Sequence, residues 1–88
     1  MKLIIAICRD DDATRVSDAL VEKEYRVTRI ATTGGFLKRG NSTLLIGVEA
    51  AEVGKVIETF RAALGPPAEP GRRRATVFVL EASGDEQV

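Results

Sequence analysis

The stretch YRVTRIATTGGFLKRGNSTLLIGVE, residues 25–49, decides the fold. Its two ends, residues 25–32 and 42–49, are β-prone runs on either side of a loop with two adjacent glycines. A hairpin needs only about two loop residues, so this connection is longer than the turn requires. Gly47, inside the second run, marks a point where another group can approach the backbone closely. The pattern predicts a β-hairpin whose loop has a use beyond reversing the chain.

Outside this hairpin, two more strands and two helices are predicted. Residues 2–8 and 75–80 are short apolar runs, and the first of them is apolar on both alternating sets. The acidic triplet at residues 10–12 suits the cap and first turn of a helix that ends near Glu24. An apolar stripe predicts a second helix over residues 50–64, which Gly65 and two prolines end.

The resulting order, βαββαβ, predicts an α+β, ferredoxin-like sandwich. Right-handed crossovers place both helices on one face of a four-stranded antiparallel sheet. The outer face of that sheet has no element left to cover it, although strands 2–8 and 75–80 carry apolar side chains on both sides. We therefore predict that sheets of several copies pack together. Residues 1–80 form the predicted domain, and residues 81–88 a polar C-terminal tail.

Composition excludes several classes of function. The 88 residues contain 13 basic and 13 acidic side chains, which argues against binding a nucleic-acid polymer or a membrane surface. Histidine is absent, and no serine, cysteine or carboxylate lies in a recognisable catalytic or metal-binding arrangement, so neither an enzyme nor a metal site is predicted. Cys8 is interpreted as a buried small thiol rather than a reactive one. No signal or membrane-spanning segment is found, and the predicted location is cytoplasmic.

The glycine loop combines groups that a nucleotide needs. Its glycines can turn backbone N–H groups toward an anion, while threonines and cations add donors and charge. Phe36 offers an aromatic face, and Asn41 offers both donors and acceptors. The same features also fit a simple turn, or a Phe36 side chain that packs into a neighbouring subunit. From the residues alone both interpretations stand.

A basic run follows the second helix in the turn-rich segment GPPAEPGRRR, residues 65–74. Its three arginines are either a solvated turn or a second phosphate clamp beside the loop, because guanidinium groups match phosphate geometry. The possible clamp consists of Lys38, Arg39, Arg72, Arg73 and Arg74.

Three segments resemble one known family. MKLIIAI (1–7), ALVEKEYRVTRIATTGGFLKRGNSTLLIGVE (19–49) and ATVFVL (75–80) closely resemble the PII-like cyclic-di-AMP receptor family, in a shortened form. The resemblance implies a non-enzymatic signal-transduction protein that forms a PII-like homotrimer with its sheets facing the centre. It also implies ligand sites in clefts between neighbouring subunits.

The ligand contacts of that family carry over to particular positions. The resemblance implies contacts from the second strand, the glycine loop, the third strand and the C-terminal tail: Arg26, Val27, Thr28, Gly35, Phe36, Leu37, Asn41, Gly47 and Gln87. Phe36 and Leu37 would pack on an adenine, Thr28 and Asn41 would hydrogen-bond to it, and Arg26 would supply charge to a phosphate.

The sequence differs from two groups of related proteins in ways that bear on its ligand and its regulation. Nitrogen-regulatory PII proteins have a longer loop with a modifiable tyrosine, and residues 33–42 contain none, which argues against control by uridylylation. Cyclic-di-AMP receptors usually carry a longer segment between the second helix and the last strand, with aromatic residues that help to enclose the ligand. Here that segment is residues 65–74, and the tail also lacks aromatic residues. The site is expected to be more open than in those relatives.

The sequence thus predicts a receptor for cyclic-di-AMP that signals to a protein partner by ordering its loops. One alternative is a trimer of the same kind that binds another adenine nucleotide, ATP or ADP. The other is an interaction scaffold that binds no ligand and uses Phe36 in a subunit contact.

Overall fold

A computed structural model describes residues 1–31, 40–66 and 75–82, apart from the side chain of Ala31. These residues form a four-stranded sheet and two helices, with a short 3₁₀ turn at Ala50–Glu52. In chain order the elements are β1 (Lys2–Arg9), α1 (Asp10–Glu22), β2 (Thr28–Ala31), β3 (Asn41–Val48), α2 (Val53–Leu64) and β4 (Ala75–Glu81). This order confirms the predicted α+β, ferredoxin-like arrangement.

The sheet has the strand order β2-β3-β1-β4, and every neighbouring pair is antiparallel. β1 pairs with β3 from Lys2 opposite Val48 to Arg9 opposite Asn41. Each helix connects two strands that are not neighbours, so its chain must cross over the strand between them. The two central strands, β1 and β3, supply half of the buried apolar residues that the structure describes, and the helices supply the other half.

One face of the sheet packs against the helices and forms the core. Alternate residues of β1 and β3 point toward the helices, as the period of two in a strand requires. α1 and α2 each contribute an apolar stripe with helical spacing, so the predicted second stripe is confirmed. The buried apolar residues are Ile4, Ala6, Cys8, Ala13, Val16, Leu20, Leu44, Ile46, Val48, Val56, Phe60 and Leu64.

Leu20→Ala is expected to lower the free energy of unfolding by about 3 kcal/mol, because the leucine is fully buried and its truncation leaves a cavity. Val21→Ala is the matched control, since the neighbouring valine on α1 is 58% exposed and should matter by less than about 0.5 kcal/mol. Urea unfolding at one fixed protein concentration measures both. Equal losses in the two variants would contradict this assignment of the core.

Among residues 1–31, 40–66 and 75–82, no helix or strand covers the opposite face of the sheet. We call it the open face. Three large side chains on it are about half exposed, at 50% for Ile30, 49% for Phe78 and 47% for Leu80. The open face consists of Leu3, Ile5, Ile7, Thr28, Ile30, Thr43, Leu45, Gly47, Thr76, Phe78 and Leu80, as the strand registers show. The predicted apolar face without a partner element is therefore present.

The predicted second strand was too long. It was expected over residues 25–32, but β2 begins only at Thr28. Glu24 takes a left-handed conformation with φ of 68°, and the Tyr25 N–H donates to the Leu20 carbonyl at 3.0 Å. These contacts tie the start of the run to the end of α1. Tyr25 and Val27 then pack partly against the core without joining the sheet.

The role predicted for the acidic triplet also needs a correction. The N-cap position of α1 is Arg9, and no side chain caps the helix there. All three aspartates lie within the first turn, where negative charge is favourable near the positive end of the helix dipole. The triplet therefore begins the helix instead of preceding it as the cap, and within the triplet the Asp11 carboxylate accepts from the Asp12 N–H at 3.0 Å.

The last strand extends one residue beyond its predicted end. β4 continues to Glu81, and the Ala82 N–H donates to the Met1 carbonyl at 3.0 Å. The rest of the predicted tail, residues 83–88, lies outside the described residues, so the division into residues 1–80 and 81–88 stays a prediction. Among the described residues, neither helix is long and apolar enough to cross a membrane.

Candidate functional site

Five of the predicted ligand-binding residues lie in the described parts of the chain, and they fall at different places on the sheet. They are Arg26, Val27, Thr28, Asn41 and Gly47. The other predicted positions lie outside the described residues: Gly35, Phe36, Leu37 and Gln87, together with the possible clamp of Lys38, Arg39, Arg72, Arg73 and Arg74.

Thr28 and Gly47 lie close together on the open face. Thr28 pairs with Leu45 across β2 and β3, and Gly47 is two residues further along β3 on the same face. Such diagonal neighbours lie about 7–8 Å apart, within the reach of one nucleobase. The exposed Thr28 hydroxyl and the bare Gly47 backbone can thus meet the same planar group.

Gly47 leaves room on its side of the sheet. A Cβ built at this position would meet only the sulfur of Met1, at an ordinary contact distance of 3.9 Å. The described part of the protomer therefore does not itself require glycine here. A group outside the protomer fold can approach this backbone closely, as the sequence analysis predicted for an interior strand glycine.

Arg26 and Val27 precede β2, beside Thr28. Arg26 is exposed, so its guanidinium group is free to meet an anion. Val27 is half-buried and packs partly against the core. Its apolar side chain stabilises the protomer, and its backbone groups are the only polar contacts it can offer a ligand.

Asn41 stands at the far end of β3 from Gly47. It is the first residue of the strand, half-buried, and it pairs with Arg9 at the end of β1. Gly47 is the sixth residue after it along the strand, a distance of about 20 Å. One adenine ring cannot contact both residues of the same protomer. The described candidate residues therefore form two separate groups within each chain.

A polar cluster that the sequence analysis missed lies beside Asn41. We call Asp10, Thr14, Arg29 and Ser42 the anchor cluster. Arg29 donates from its Nε to the Ser42 hydroxyl at 3.3 Å, from Nη1 to the Thr14 hydroxyl at 2.8 Å and from Nη2 to the Asp10 carbonyl at 3.0 Å. Ser42 donates to the Asp10 carboxylate at 2.5 Å. The cluster joins the start of α1 to β2 and β3.

One signal in the sequence could have indicated this cluster. Arg29 belongs to the same alternating set as Tyr25 and Val27, which pack partly against the core. A charged residue in a core-facing set needs hydrogen-bond partners. Which residues supply them depends on contacts between distant parts of the chain, and the pattern of β2 alone does not show that.

Cys8 is a buried core residue, as predicted. Burial raises the pKa of its thiol, and the negative charge of the nearby Asp12 carboxylate adds to the rise. A thiol in this environment stays protonated and unreactive near neutral pH. In residues 1–31, 40–66 and 75–82, no three His, Cys, Asp or Glu side chains are grouped so that they could hold a metal ion.

The chain is similar to a protein of known structure over nearly its whole length. A crystal structure described as that of a functionally unknown protein from Pediococcus pentosaceus ATCC 25745 superposes with a TM-score of 0.80 at 38% sequence identity. The match covers 99% of this chain and 96% of the other. The two chains are therefore similar in length as well as in fold.

A family comparison gives the assignment. Residues 1–65 match the model of the family described as cyclic-di-AMP receptor. The match extends from β1 through α2, so it includes both strands of the hairpin, the loop between them and all five described candidate residues. The chain belongs to the cyclic-di-AMP receptor family.

Proposed function

We propose that this protein is a non-enzymatic PII-like receptor that binds cyclic-di-AMP between the subunits of a homotrimer and relays its binding to a protein partner. The observation that carries the proposal is the family match over residues 1–65, because it spans the glycine loop and both flanking strands. The absence of histidine from the chain adds support for a binding protein rather than an enzyme.

The separation of Asn41 from Gly47 supports a site shared between subunits. Asn41 lies beside the glycine loop, whereas Gly47 lies about 20 Å away along β3, and Thr28, opposite Leu45, lies about 13 Å further along the sheet than Asn41. In the proposed trimer, Asn41 and the loop of one subunit face Thr28 and Gly47 of the next. A single ligand between the subunits then contacts Asn41 of one subunit and Gly47 of the next. Within one protomer these two residues are too far apart to contact the same adenine.

In this site each residue has a chemical role. Thr28 and Asn41 hydrogen-bond to adenine edges, and the exposed Arg26 neutralises a phosphate. Gly47 lets the base approach the backbone of β3. In the glycine loop, Phe36 and Leu37 pack on the adenine, while Gly35 and the tail residue Gln87 add further contacts. These four residues lie outside the described residues, and their roles are inferred from the family resemblance.

The open face supports the trimer. Ile30, Phe78 and Leu80 leave a wide apolar surface in the protomer, which is costly in water. Packing the open faces of three copies against each other would bury it. The proposed mechanism of signalling is that the ligand orders residues 33–41 and 65–73 and so changes the surface that the partner contacts. The proposed location is the cytoplasm.

An adenine mononucleotide is the second candidate ligand. The family resemblance implies that the segment that usually helps to enclose cyclic-di-AMP is shortened here, and the family match ends at residue 65, where this segment begins. The Pediococcus pentosaceus protein matches this chain end to end, so the short form occurs in a second protein. A more open site would fit a smaller ligand such as ATP or ADP with fewer contacts.

A competition titration tests the proposed ligand. We expect labelled cyclic-di-AMP to bind with micromolar or tighter affinity, an association free energy of about −8 kcal/mol or better. Unlabelled cyclic-di-AMP should displace it, while ATP and cyclic-di-GMP should need at least about 100-fold higher concentrations, because adenine edges and two phosphates are both contacted. Binding of ATP but not of cyclic-di-AMP would instead support the second candidate. If none of the three nucleotides binds, the remaining alternative is an interaction scaffold that binds no ligand.

A further inference from the structure

The backbone on both sides of Asn41 is held by one residue, Asp10. The Asp10 N–H donates to the Gly40 carbonyl at 2.7 Å, and the Asp10 carboxylate accepts from the Ser42 hydroxyl at 2.5 Å. Gly40 and Ser42 are the two neighbours of Asn41. The first residue of α1 thus fixes the point at which the chain returns from the glycine loop into β3.

Arg29 holds this arrangement together from β2. All three of its guanidinium nitrogens donate, to Ser42, Thr14 and the Asp10 carbonyl. Thr14 also donates to the Asp10 carbonyl, at 3.1 Å. A rigid planar fork with three partners leaves the start of α1 little freedom relative to the hairpin. The anchor cluster is therefore a brace across three elements.

The burial of Ser42 decides the direction of Asn41. Ser42 is fully buried on the helix side of the sheet, within reach of Asp10 and Arg29. Successive residues of a strand point to opposite faces. As long as Ser42 is held on the helix side, Asn41 must point to the side of the open face, where the proposed ligand lies.

We propose that Asp10, Arg29 and Ser42 are positioning residues for the nucleotide site: they set the place and direction of Asn41 without touching the ligand. This inference rests on the proposed function. The sequence pattern and the family resemblance assign no ligand contact to any of the three. They act through the backbone: Asp10 fixes Gly40, and because side chains alternate between the faces of β3, holding Ser42 on one face directs Asn41 to the other.

The test uses Ser42→Ala in the full-length protein, with two measurements. The first is hydrogen exchange of the Asp10 amide without ligand, because an N–H in the first helical turn has no partner within its helix and is protected here by the Gly40 carbonyl. The second is affinity for cyclic-di-AMP. We expect exchange to become about tenfold faster and affinity about tenfold weaker, because the variant removes both hydrogen bonds of the Ser42 hydroxyl, the one from Arg29 and the one to Asp10.

Thr59→Val is the matched control. Thr59 is 2% exposed, and its hydroxyl accepts from Lys23 at 3.1 Å and donates to the Lys55 carbonyl at 2.8 Å. The variant removes a buried hydroxyl of α2 whose hydrogen-bond partners do not belong to the anchor cluster, so it should change neither the exchange of the Asp10 amide nor the affinity. Equal effects in both variants would show that general destabilisation, and not positioning, is responsible.

Two further variants separate geometry from charge. Asp10→Asn keeps an acceptor oxygen for Ser42 and should retain affinity within about threefold. Arg29→Lys keeps the charge but cannot reach three acceptors at once, so it should weaken binding about tenfold. Because Asp10 and Arg29 are exposed, both variants are expected to fold even if Ser42→Ala does not.

The outcomes separate this inference from the proposed function. If the unaltered protein does not bind cyclic-di-AMP, the proposed function fails, and the exchange of the Asp10 amide still decides whether the cluster holds the backbone around Asn41. If the unaltered protein binds, but Ser42→Ala and Arg29→Lys bind equally well, the positioning role is overturned while the receptor stands.

Discussion

Gly47→Val is expected to weaken cyclic-di-AMP binding by about 100-fold or more, which corresponds to the roughly 3 kcal/mol that overpacking a close contact can cost. In the proposed site the ligand approaches the β3 backbone at this glycine. In the described part of the protomer, a Cβ here meets only the Met1 sulfur, at 3.9 Å, and valine is a favourable residue in a strand. The substitution should therefore spare the protomer fold and block the ligand. Isothermal titration measures the affinity, and urea unfolding checks the fold.

Gly54→Val provides the matched control for that experiment. Gly54 lies in α2, and no atom lies within 4 Å of a Cβ built there, so the same replacement is made away from the open face. Its affinity should equal that of the unaltered protein. If Gly47→Val bound cyclic-di-AMP normally, the ligand would not lie against β3 at this point, and the proposed site would have to be abandoned.

Phe78→Lys is expected to convert the proposed trimer into monomers at micromolar concentration. Phe78 lies on the open face, 49% exposed in the protomer, opposite Ile5 of β1. If three open faces pack together, the lysine would place a charge in an apolar interface, which costs several kcal/mol. Sedimentation equilibrium, or light scattering after size exclusion, gives the mass directly. Because the proposed site needs two subunits, the Phe78→Lys variant should lose affinity for the ligand as well as the mass of the trimer.

Val79→Lys is the control, on the neighbouring residue of the same strand. Val79 is 45% exposed, nearly as much as Phe78, but it pairs with Ile4 and so points to the helix side of the sheet. This variant should remain trimeric. A trimer that survives Phe78→Lys, or one that Val79→Lys disrupts to the same extent, would contradict assembly through the open face.

Most of the fold could be predicted because local patterns and topology agree. Strand alternation, two helical stripes and chain order were enough to give the sandwich and its uncovered face. The prediction was wrong for Tyr25 and Val27, whose β-prone side chains are used in the core outside any strand. The left-handed turn at Glu24 and the bond from Tyr25 to Leu20 override their propensity, and neither leaves a clear signal in the sequence.

The site was predicted less completely, for a physical reason. Gly47 could be recognised as a weak point in a strand, but the family resemblance was needed to connect it with Thr28 and Asn41. The anchor cluster is tertiary: Ser42 and Asp10 are 32 positions apart in the chain. No local pattern records such a contact, so Asp10 was interpreted from its neighbours as part of a cap.

The measurement that tests the central claim most directly mixes two defective proteins, Asn41→Ala and Gly47→Val. Each alone should bind cyclic-di-AMP poorly, because every site would lack one of its two groups. After the two are unfolded together and refolded at equal amounts, about a quarter of the interfaces in a cyclic assembly should pair an intact Asn41 with an intact Gly47 of the next subunit. We predict that isothermal titration then detects about one normal-affinity site for every four protomers. If no site regains normal affinity, both groups act within one protomer or neither binds the ligand, and a receptor site shared between subunits is contradicted.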